Sequence, residues 1–436
     1  MNYLFVHHNF PGQYQHVAQH LAAQPGNRVV FITQPNQNRL AGVETVTYEP
    51  FRGLTPGIHH YLADLEQGVL WGQAVLAACL RLKAQGFRPD IMIGHNGWGE
   101  TLFLKSAWPD VPLLAYFEFF YRAEGADTGF DPELPATADD PPRLQVKNAV
   151  GLIGAEAADW GQTPTRWQQS LHPPHIRAKL SVIHEGVDSR IARPDPAAWL
   201  RIDRLERPLT RDDEVITYVA RNLEPYRGFH RLMRALPEIL RRRPRAQVLI
   251  VGGDEVSYGP PAPAGTTFRR MLMEEVGAGL DPRRVHFLGK VPHRTFLNIL
   301  QISSVHLYLT YPFVLSWSCL EAMAAGCLVV GSDTAPVREV IRDGENGLLV
   351  DFFDARALCG RIDAVLDHPD RMAGLRAAAR RTVLQSYDLH TVALPAYLEL
   401  IDAVAAGAIP PAGGGDGPNG ARPNRAAYPL PTVAGA

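Results

Sequence analysis

Arg221 and Arg227 stand where an apolar run gives way to a loop, and they are the side chains of this 436-residue chain best suited to chemistry. Arg221 follows the run VITYVA over 215–220, and Arg227 with Gly228 opens the amphipathic stretch FHRLMRALPEIL. A guanidinium grips two oxygens at once and stays ionised. A pair at the carboxyl end of a strand therefore suits a diphosphate, above all one that gathers charge as it leaves. Solvation, or pairing with Glu224, is the competing account of the same residues.

A carboxylate, Glu321, lies in the stretch FVLSWSCLEAMAAGCLVVGSDTAPVREVI that begins at Phe313. The run from His306 predicts a buried strand. Ala322, Ala324, Ala325 and Gly326 predict a close-packed helix with Glu321 near its start, and 328–331 begins the next strand. In a parallel sheet the loops at the carboxyl ends of the strands collect ligands, and a helix N-terminus opening there offers backbone N–H groups to an anion. Glu321 repels phosphate, so a pair of hydroxyls is its expected partner; a capping glutamate would look the same.

The elements that must position these residues alternate short apolar runs with longer amphipathic ones, the pattern of parallel sheets covered by helices on both faces. The first series is 4–6, 29–32, 45–48, 91–94 and 113–116, with a helix over 59–84. The second is 215–220, 248–253, 285–289, 306–309, 328–331 and 348–350, followed by helices over 355–366, 370–384 and 389–404. Between them VIHEGVD runs into Arg193, Pro194, Asp195, Pro196 and a charged stretch to Glu214, which reads as an interdomain connection. The expected division is a first domain over 1–188, a second over 189–386, a last helix over 387–405 and a disordered Gly/Pro/Ala tail over 406–436. The irregular segment 124–142, rich in Asp and Pro, is of a kind that concerns ligand access more often than packing.

A chain of this length exceeds what one core supports, and its 46% hydrophobic residues can fill two. A net charge of −2 argues against electrostatic binding of nucleic acid. Cys79, Cys319, Cys327 and Cys359 sit in apolar segments without metal-ligand spacing, as core residues in a reducing cytosol do. The start shows no basic leader, and no run reaches the ~20 apolar residues of a membrane-spanning helix, so a cytoplasmic protein is expected. The turn His7-His8-Asn9-Phe10-Pro11-Gly12 lacks the spaced glycines of a dinucleotide fingerprint, and no Walker sequence occurs. His7 and His8 have no third ligand at metal spacing, so no metal is expected. Gly12 precedes the helical pattern QYQHVAQHLA and would let that helix approach a diphosphate closely.

The order VARNLEPYRG, VLIVGGDE, VHFLGKVP and LEAMAAGCLVVGSDTAPVREVIRDGENGLLV resembles the family 4 retaining glycosyltransferases over most of the chain. FVHHNFPGQYQHVAQHLA and VIHEGVD resemble in particular the bacterial members that assemble surface polysaccharides. The resemblance implies an α/β GT-B architecture, two Rossmann-like parallel-sheet domains facing a central cleft. It implies an acceptor mainly on the first domain, a nucleotide sugar mainly on the second, and a last helix that crosses back. Arg221 and Arg227 match the basic pair on the donor diphosphate, and Glu321 matches the ribose-binding second glutamate of a paired-glutamate motif. Backbone N–H groups around Leu315, Ser316 and Trp317 are expected to meet phosphates or sugar, and Gly253 and Val291 complete the substrate-binding set.

Two positions depart from the family pattern. Phe313 stands where the first glutamate belongs, and Glu118 replaces the histidine that follows the strand over 113–116. Glu118 is expected to steer the acceptor or to stabilise positive charge on the sugar, with a merely buried or solvated carboxylate as the alternative. His95 and Asn96 are candidates for the acceptor cleft, though a cap at the strand end explains them equally, and Trp98 shares that ambiguity. The implied reaction retains anomeric configuration and uses a nucleoside-diphosphate sugar as co-substrate, a glycan or lipid-linked acceptor, and no metal or other cofactor.

Two other classes stay open: a non-catalytic nucleotide-sugar-binding protein, favoured by Phe313, and a sugar-nucleotide epimerase of the same architecture. Arg241, Arg242, Arg243 and Arg245, and again Arg376, Arg380 and Arg381, form basic clusters. They are compatible with peripheral contact at the inner face of an anionic membrane, or simply with helix dipoles.

Overall fold

In the computed structural model residues 1–410 are described. The first half folds into seven strands: β1 (Asn2–Val6), β2 (Arg28–Thr33), β3 (Val43–Thr47), β4 (Ile91–His95), β5 (Leu113–Tyr116), β6 (Trp160–Thr163) and β7 (Leu180–Val182). They lie in the order β3-β2-β1-β4-β5-β6-β7, every neighbouring pair parallel. The second half supplies β8 (Val215–Asn222), β9 (Gln247–Gly253), β10 (Val285–Gly289), β11 (Val305–Tyr308), β12 (Val329–Ser332) and β13 (Leu348–Val350). Their order is β10-β9-β8-β11-β12-β13, again parallel throughout. Strands covered on both faces must be apolar on both. Accordingly Leu4, Val30, Met92 and Leu113 fill one core, while Phe5, Phe31, Ile93 and Leu114 fill another on the opposite face.

All six runs marked in the second half become strands, but β6 and β7 are absent from the sequence reading of the first. Their residues WGQT and LSV are too short and too polar to stand out. The polar groups are satisfied inside the fold, with Gln162 Nε2 donating to the Ile183 carbonyl at 2.7 Å and Trp160 Nε1 to Ser181 Oγ at 3.0 Å. The helix marked over 59–84 forms as a short 3-10 turn, His60–Leu62, followed by the helix Ala63–Ala84.

The chain passes between the two sheets twice, and the passes lie side by side. The Val187 N–H donates to the Tyr387 carbonyl at 2.8 Å, and the Leu389 N–H to the Val187 carbonyl at 2.9 Å. The Ser189 hydroxyl donates to the Asp388 carboxylate across the same junction. Gly186 has a φ of 85°, and a Cβ there would lie 2.7 Å from Ala393 Cβ and 2.8 Å from Leu389 Cα, so only glycine lets the passes approach this closely. Beyond the second pass the helix Leu394–Ala405 packs Tyr397, Leu400, Ile401 and Val404 against Phe5, Tyr14, Val17 and Ile91 of the first half. Of the expected tail over 406–436, residues 411–436 lie outside the described residues.

The segment 124–142 departs from its reading as an access loop, because it is a strap. It leaves the first sheet after β5 and lies on the second domain, where Phe130 packs between Tyr311, Phe352 and Phe353. Asp131, 1% exposed, has its carboxylate within 2.8 Å of His230 Nε2, Arg231 Nη2 and the Tyr311 hydroxyl. The Tyr226 hydroxyl donates to Asp127 at 2.8 Å, and Arg234 meets Glu133 at 2.6 Å. The aspartates that made this segment look like loop are its anchors.

Candidate functional site

Loops after β1, β4 and β5 and loops after β8, β9 and β11 together enclose a hollow of about 560 Å³. Such a crevice at the carboxyl ends of parallel strands is where open α/β sheets bind ligands. Gly12, Glu118, Arg221, Arg227, Leu315, Ser316 and Trp317 all line it. A second chamber of about 360 Å³ shares Arg221, Ser316 and Trp317 with the first and adds Val291 and Glu321. Arg221 thus joins the two, and both arginines and Glu321 face one continuous space.

Arg221 is exposed at the end of β8, and its guanidinium makes no hydrogen bond or ion pair among the described residues. Arg227 is 7% exposed and held in place: Nη1 donates to Thr310 Oγ1 at 3.0 Å and to the Val314 carbonyl at 2.9 Å, with the Tyr258 ring 5.0 Å away. Burial works against its charge, but Tyr308, Tyr258 and Glu224 outweigh it and raise its pKa above the ordinary arginine value. Glu224 pairs with neither arginine. Fully buried, it accepts the N–H groups of Ser257, Tyr258 and Gly259 at 3.1–3.2 Å and so fixes the loop that lays Tyr258 over Arg227.

Glu118 stands two residues beyond β5, with its carboxylate 3.5 Å from His95 Nε2. Burial would raise its pKa, yet His95, Arg221 and Arg227 together lower it, so it is ionised at neutral pH. Gly12 has a φ of 53°, and a Cβ there would press within 3.3 Å of the His7 ring. It leads into a 3-10 turn, Gly12–Tyr14, ahead of the helix Gln15–Ala22.

Glu321 lies on the second turn of the helix Trp317–Ala324, 2.8 Å from His293 Nε2. That hydrogen bond raises the His293 pKa against the opposing effect of burial. Ser316 caps the helix, its Oγ accepting the Ser318 N–H at 3.3 Å. The Ser316 N–H itself donates to the Tyr308 hydroxyl at 2.7 Å, which removes it from the donors expected for phosphate.

The structure also places three further groups of expected residues. Gly253 lines neither chamber, and Gly252 stands in the wall instead. A Cβ on Gly253 would lie 2.5–2.6 Å from Lys290, Asn222 and Glu255 side-chain atoms. His95 and Asn96 line a neighbouring chamber of about 310 Å³ in the first domain, which shares Trp98 and Glu118 with the hollow. And His7 with His8 does acquire a third neighbour able to ligate, Glu100, which sequence spacing did not reveal. One Glu100 oxygen already accepts from the His8 N–H at 2.8 Å and the Tyr48 hydroxyl at 3.2 Å, and lies 2.9 Å from His8 Nδ1.

Sequence reasoning also missed residues. Glu185 joins the domains, accepting from Trp317 Nε1 at 3.0 Å while its other oxygen accepts the Tyr116 hydroxyl. Its segment VIHEGVD was noticeable, its partners were not. Phe313 is walled in by Phe119, Tyr258 and Tyr226, with ring centroids 4.6, 5.0 and 5.5 Å away. Most of the basic clusters pair within the chain: Arg241 with Glu238, Arg242 and Arg243 with Asp363, Arg245 with Glu214, and Arg376 and Arg380 with backbone carbonyls, while Arg381 makes no hydrogen bond or ion pair among the described residues.

Residues 25–192 match the family described as Glycosyl transferase family 4 group, and residues 202–382 match Glycosyl transferases group 1. The phosphatidyl-myo-inositol mannosyltransferase of Mycolicibacterium smegmatis is 31% identical over 280 residues, 58% of this chain and 67% of that one. This chain belongs to the group 1 glycosyltransferases. The glycogen synthase of Mycobacterium tuberculosis is 25% identical to this glycosyltransferase over 329 residues, 74% of this chain and 72% of the other. Among solved structures, the sucrose-phosphate synthase of Thermosynechococcus elongatus superposes with a TM-score of 0.69 at 18% identity, over 93% of this chain and all of the other. Anabaena HepE, solved with UDP and glucose, gives 0.62 at 16% identity, over 92% of this chain and all of that one. These neighbours share the GT-B fold of two parallel-sheet domains. Among the described residues no helix is long and apolar enough to cross a membrane.

Proposed function

We propose that this glycosyltransferase moves a sugar, with retention of anomeric configuration, from a nucleoside-diphosphate sugar to a hydroxyl of a glycan or lipid-linked acceptor in cell-surface polysaccharide biosynthesis. The observation that carries the reading is the shared hollow in which Arg221 and Arg227 stand together, reached on one side by Glu321 and on the other by Glu118. In this reading the domain over 189–386 holds the donor, the domain over 1–188 holds the acceptor, and the work is done in the cytoplasm.

Arg221 and Arg227 bind the diphosphate, and Glu321, steadied by His293, accepts the ribose hydroxyls. As the bond from the anomeric carbon to the diphosphate oxygen breaks, its electron pair leaves with the diphosphate. Both arginines are ionised and Arg227 is already held in place, so at least that guanidinium stabilises the charge without reorganising. The acceptor oxygen bonds to the anomeric carbon from the same face, and its proton passes to the departing diphosphate. Ionised Glu118 favours the positive charge that builds on the sugar. Two guanidinium groups supply the positive field, so no metal is assigned to this chemistry.

The test is a screen of nucleotide sugars by nucleoside-diphosphate release, with the anomeric configuration of the product read by NMR. An inverted product would overturn retention. Donor binding without any transfer or hydrolysis would favour a binding protein, and interconversion of sugars without an acceptor would favour an epimerase.

A further inference from the structure

We propose that the chamber of about 310 Å³ in the first domain is the acceptor subsite and that its occupant is an uncharged sugar ring, not a phosphate-bearing headgroup. This rests on the glycosyl-transfer reading above and narrows it to a class of acceptor. The chamber opens into the donor hollow, since Trp98, Glu118, Phe119, Tyr121 and Lys147 line both. A group seated in it therefore lies beside the space where the sugar is released. Its volume is at the lower end of the roughly 300–1,000 Å³ of small-molecule sites, enough for one or two rings.

The walls are aromatic. Trp71, Trp98, Phe119, Phe120 and Tyr121 contribute rings, and Trp98 is 44% exposed although it stands on the rim of a cavity. The His8 ring meets it edge-on, 5.4 Å away at 81°, which steadies it without covering it. A large open ring beside hydrogen-bonding groups suits a ligand with one apolar C–H face and hydroxyls around its edge. The hydroxyl partners are present. His95 Nε2 is buried and makes no hydrogen bond among the described residues, and it stands 3.5 Å from Glu118 Oε2, so both have capacity left for a hydroxyl.

Charge decides the class of occupant. The charged residues of the lining are Asp64, Glu118 and Lys147. Lys147 is engaged, 3.6 Å from Asp64 and 4.3 Å from the centre of the Tyr121 ring. His172, also in the lining, is kept neutral at ordinary pH because burial lowers its pKa to about 4. Glu118 is ionised, and Arg221 and Arg227 lie beyond it in the donor hollow. A phosphate in this chamber would face Glu118 and Asp64 with Lys147 as the only lysine or arginine of the lining, a net repulsion in a partly desolvated space. A neutral sugar meets no such barrier.

The full-length chain, supplied with the donor found by the screen, is assayed for nucleoside-diphosphate release with methyl hexosides and neutral disaccharides, and in parallel with inositol phosphate and phosphatidylinositol vesicles. The expected result is stimulation by a neutral sugar and none by the phosphate-bearing acceptors. Trp98→Ala is expected to raise the KM for the neutral acceptor about three- to tenfold, the loss of one stacking contact, with a smaller change in kcat. Trp98→Phe, which keeps a ring, regains most of it. Preference for a phosphate-bearing acceptor, or a KM unmoved by Trp98→Ala, overturns the acceptor assignment. Absence of turnover with every donor, with or without acceptor, overturns the transfer reading instead.

Discussion

Arg221 and Arg227 divide their labour through their surroundings. Arg221 stands unpaired in the hollow, so Arg221→Ala is expected to lower kcat/KM by about 2–4 kcal/mol of transition-state stabilisation while leaving the thermal midpoint nearly unchanged. Arg227→Ala is expected to lose activity to the same degree and also to lower the midpoint. It strips a buried donor from Thr310 and from the Val314 carbonyl, at about 1–3 kcal/mol. Steady-state kinetics beside a melting curve separates the two, and unchanged turnover in either variant would remove that arginine from the chemistry. Phe313 shows how much a motif can say. Its departure from the family pattern was legible in FVLSWSCLE, but its enclosure by Phe119, Tyr226 and Tyr258 needed the fold, since those rings arrive from three other segments. Restoring the family residue with Phe313→Glu is expected to bury an unpaired carboxylate and cost about 3 kcal/mol or more, measured by urea unfolding.

At the scale of elements the strap over 124–142 has the plainest energetics. Asp131 is buried, which alone would raise its pKa, but His230, the Glu133 N–H and the Tyr311 hydroxyl hold it well below the usual carboxylate range. A carboxylate depressed in this way contributes its stability above its unfolded pKa, near 4, and loses it as pH falls through the folded value. The gap in thermal midpoint between the wild-type chain and Asp131→Asn is therefore expected to be full at pH 7 and to close only below about pH 4. A gap that is independent of pH would assign the strap's hold to Phe130 instead. None of this was legible in the sequence, because the partners of Asp131 lie 99, 100 and 180 residues away. The six strands of the second sheet were legible for the converse reason: a strand buried on both faces writes itself as an unbroken apolar run, which β6 and β7, with their hydrogen-bonded Gln162 and Ser181, do not.

At the scale of the molecule the last helix belongs by sequence to the end of the second domain and by packing to the core of the first. Leu400→Ala, at a site 1% exposed, is expected to destabilise by about 2–5 kcal/mol, and because the missing side chain belongs to the first-domain core that holds Phe5 and Ile91 it should expose first-domain amides to hydrogen exchange before those of β8–β13. Uniform loss of protection would instead mean that the two halves unfold as one unit. The paired passes at Val187 and Tyr387–Leu389 govern how those halves can move. A lone covalent thread would let one lobe swivel freely against the other, whereas two threads laced by backbone hydrogen bonds resist torsion and sideways slip. The strap over 124–142 fastens the lobes again, through Asp131 on His230, Arg231 and Tyr311. Any parting of the lobes must therefore work against that seat as well as against these laces.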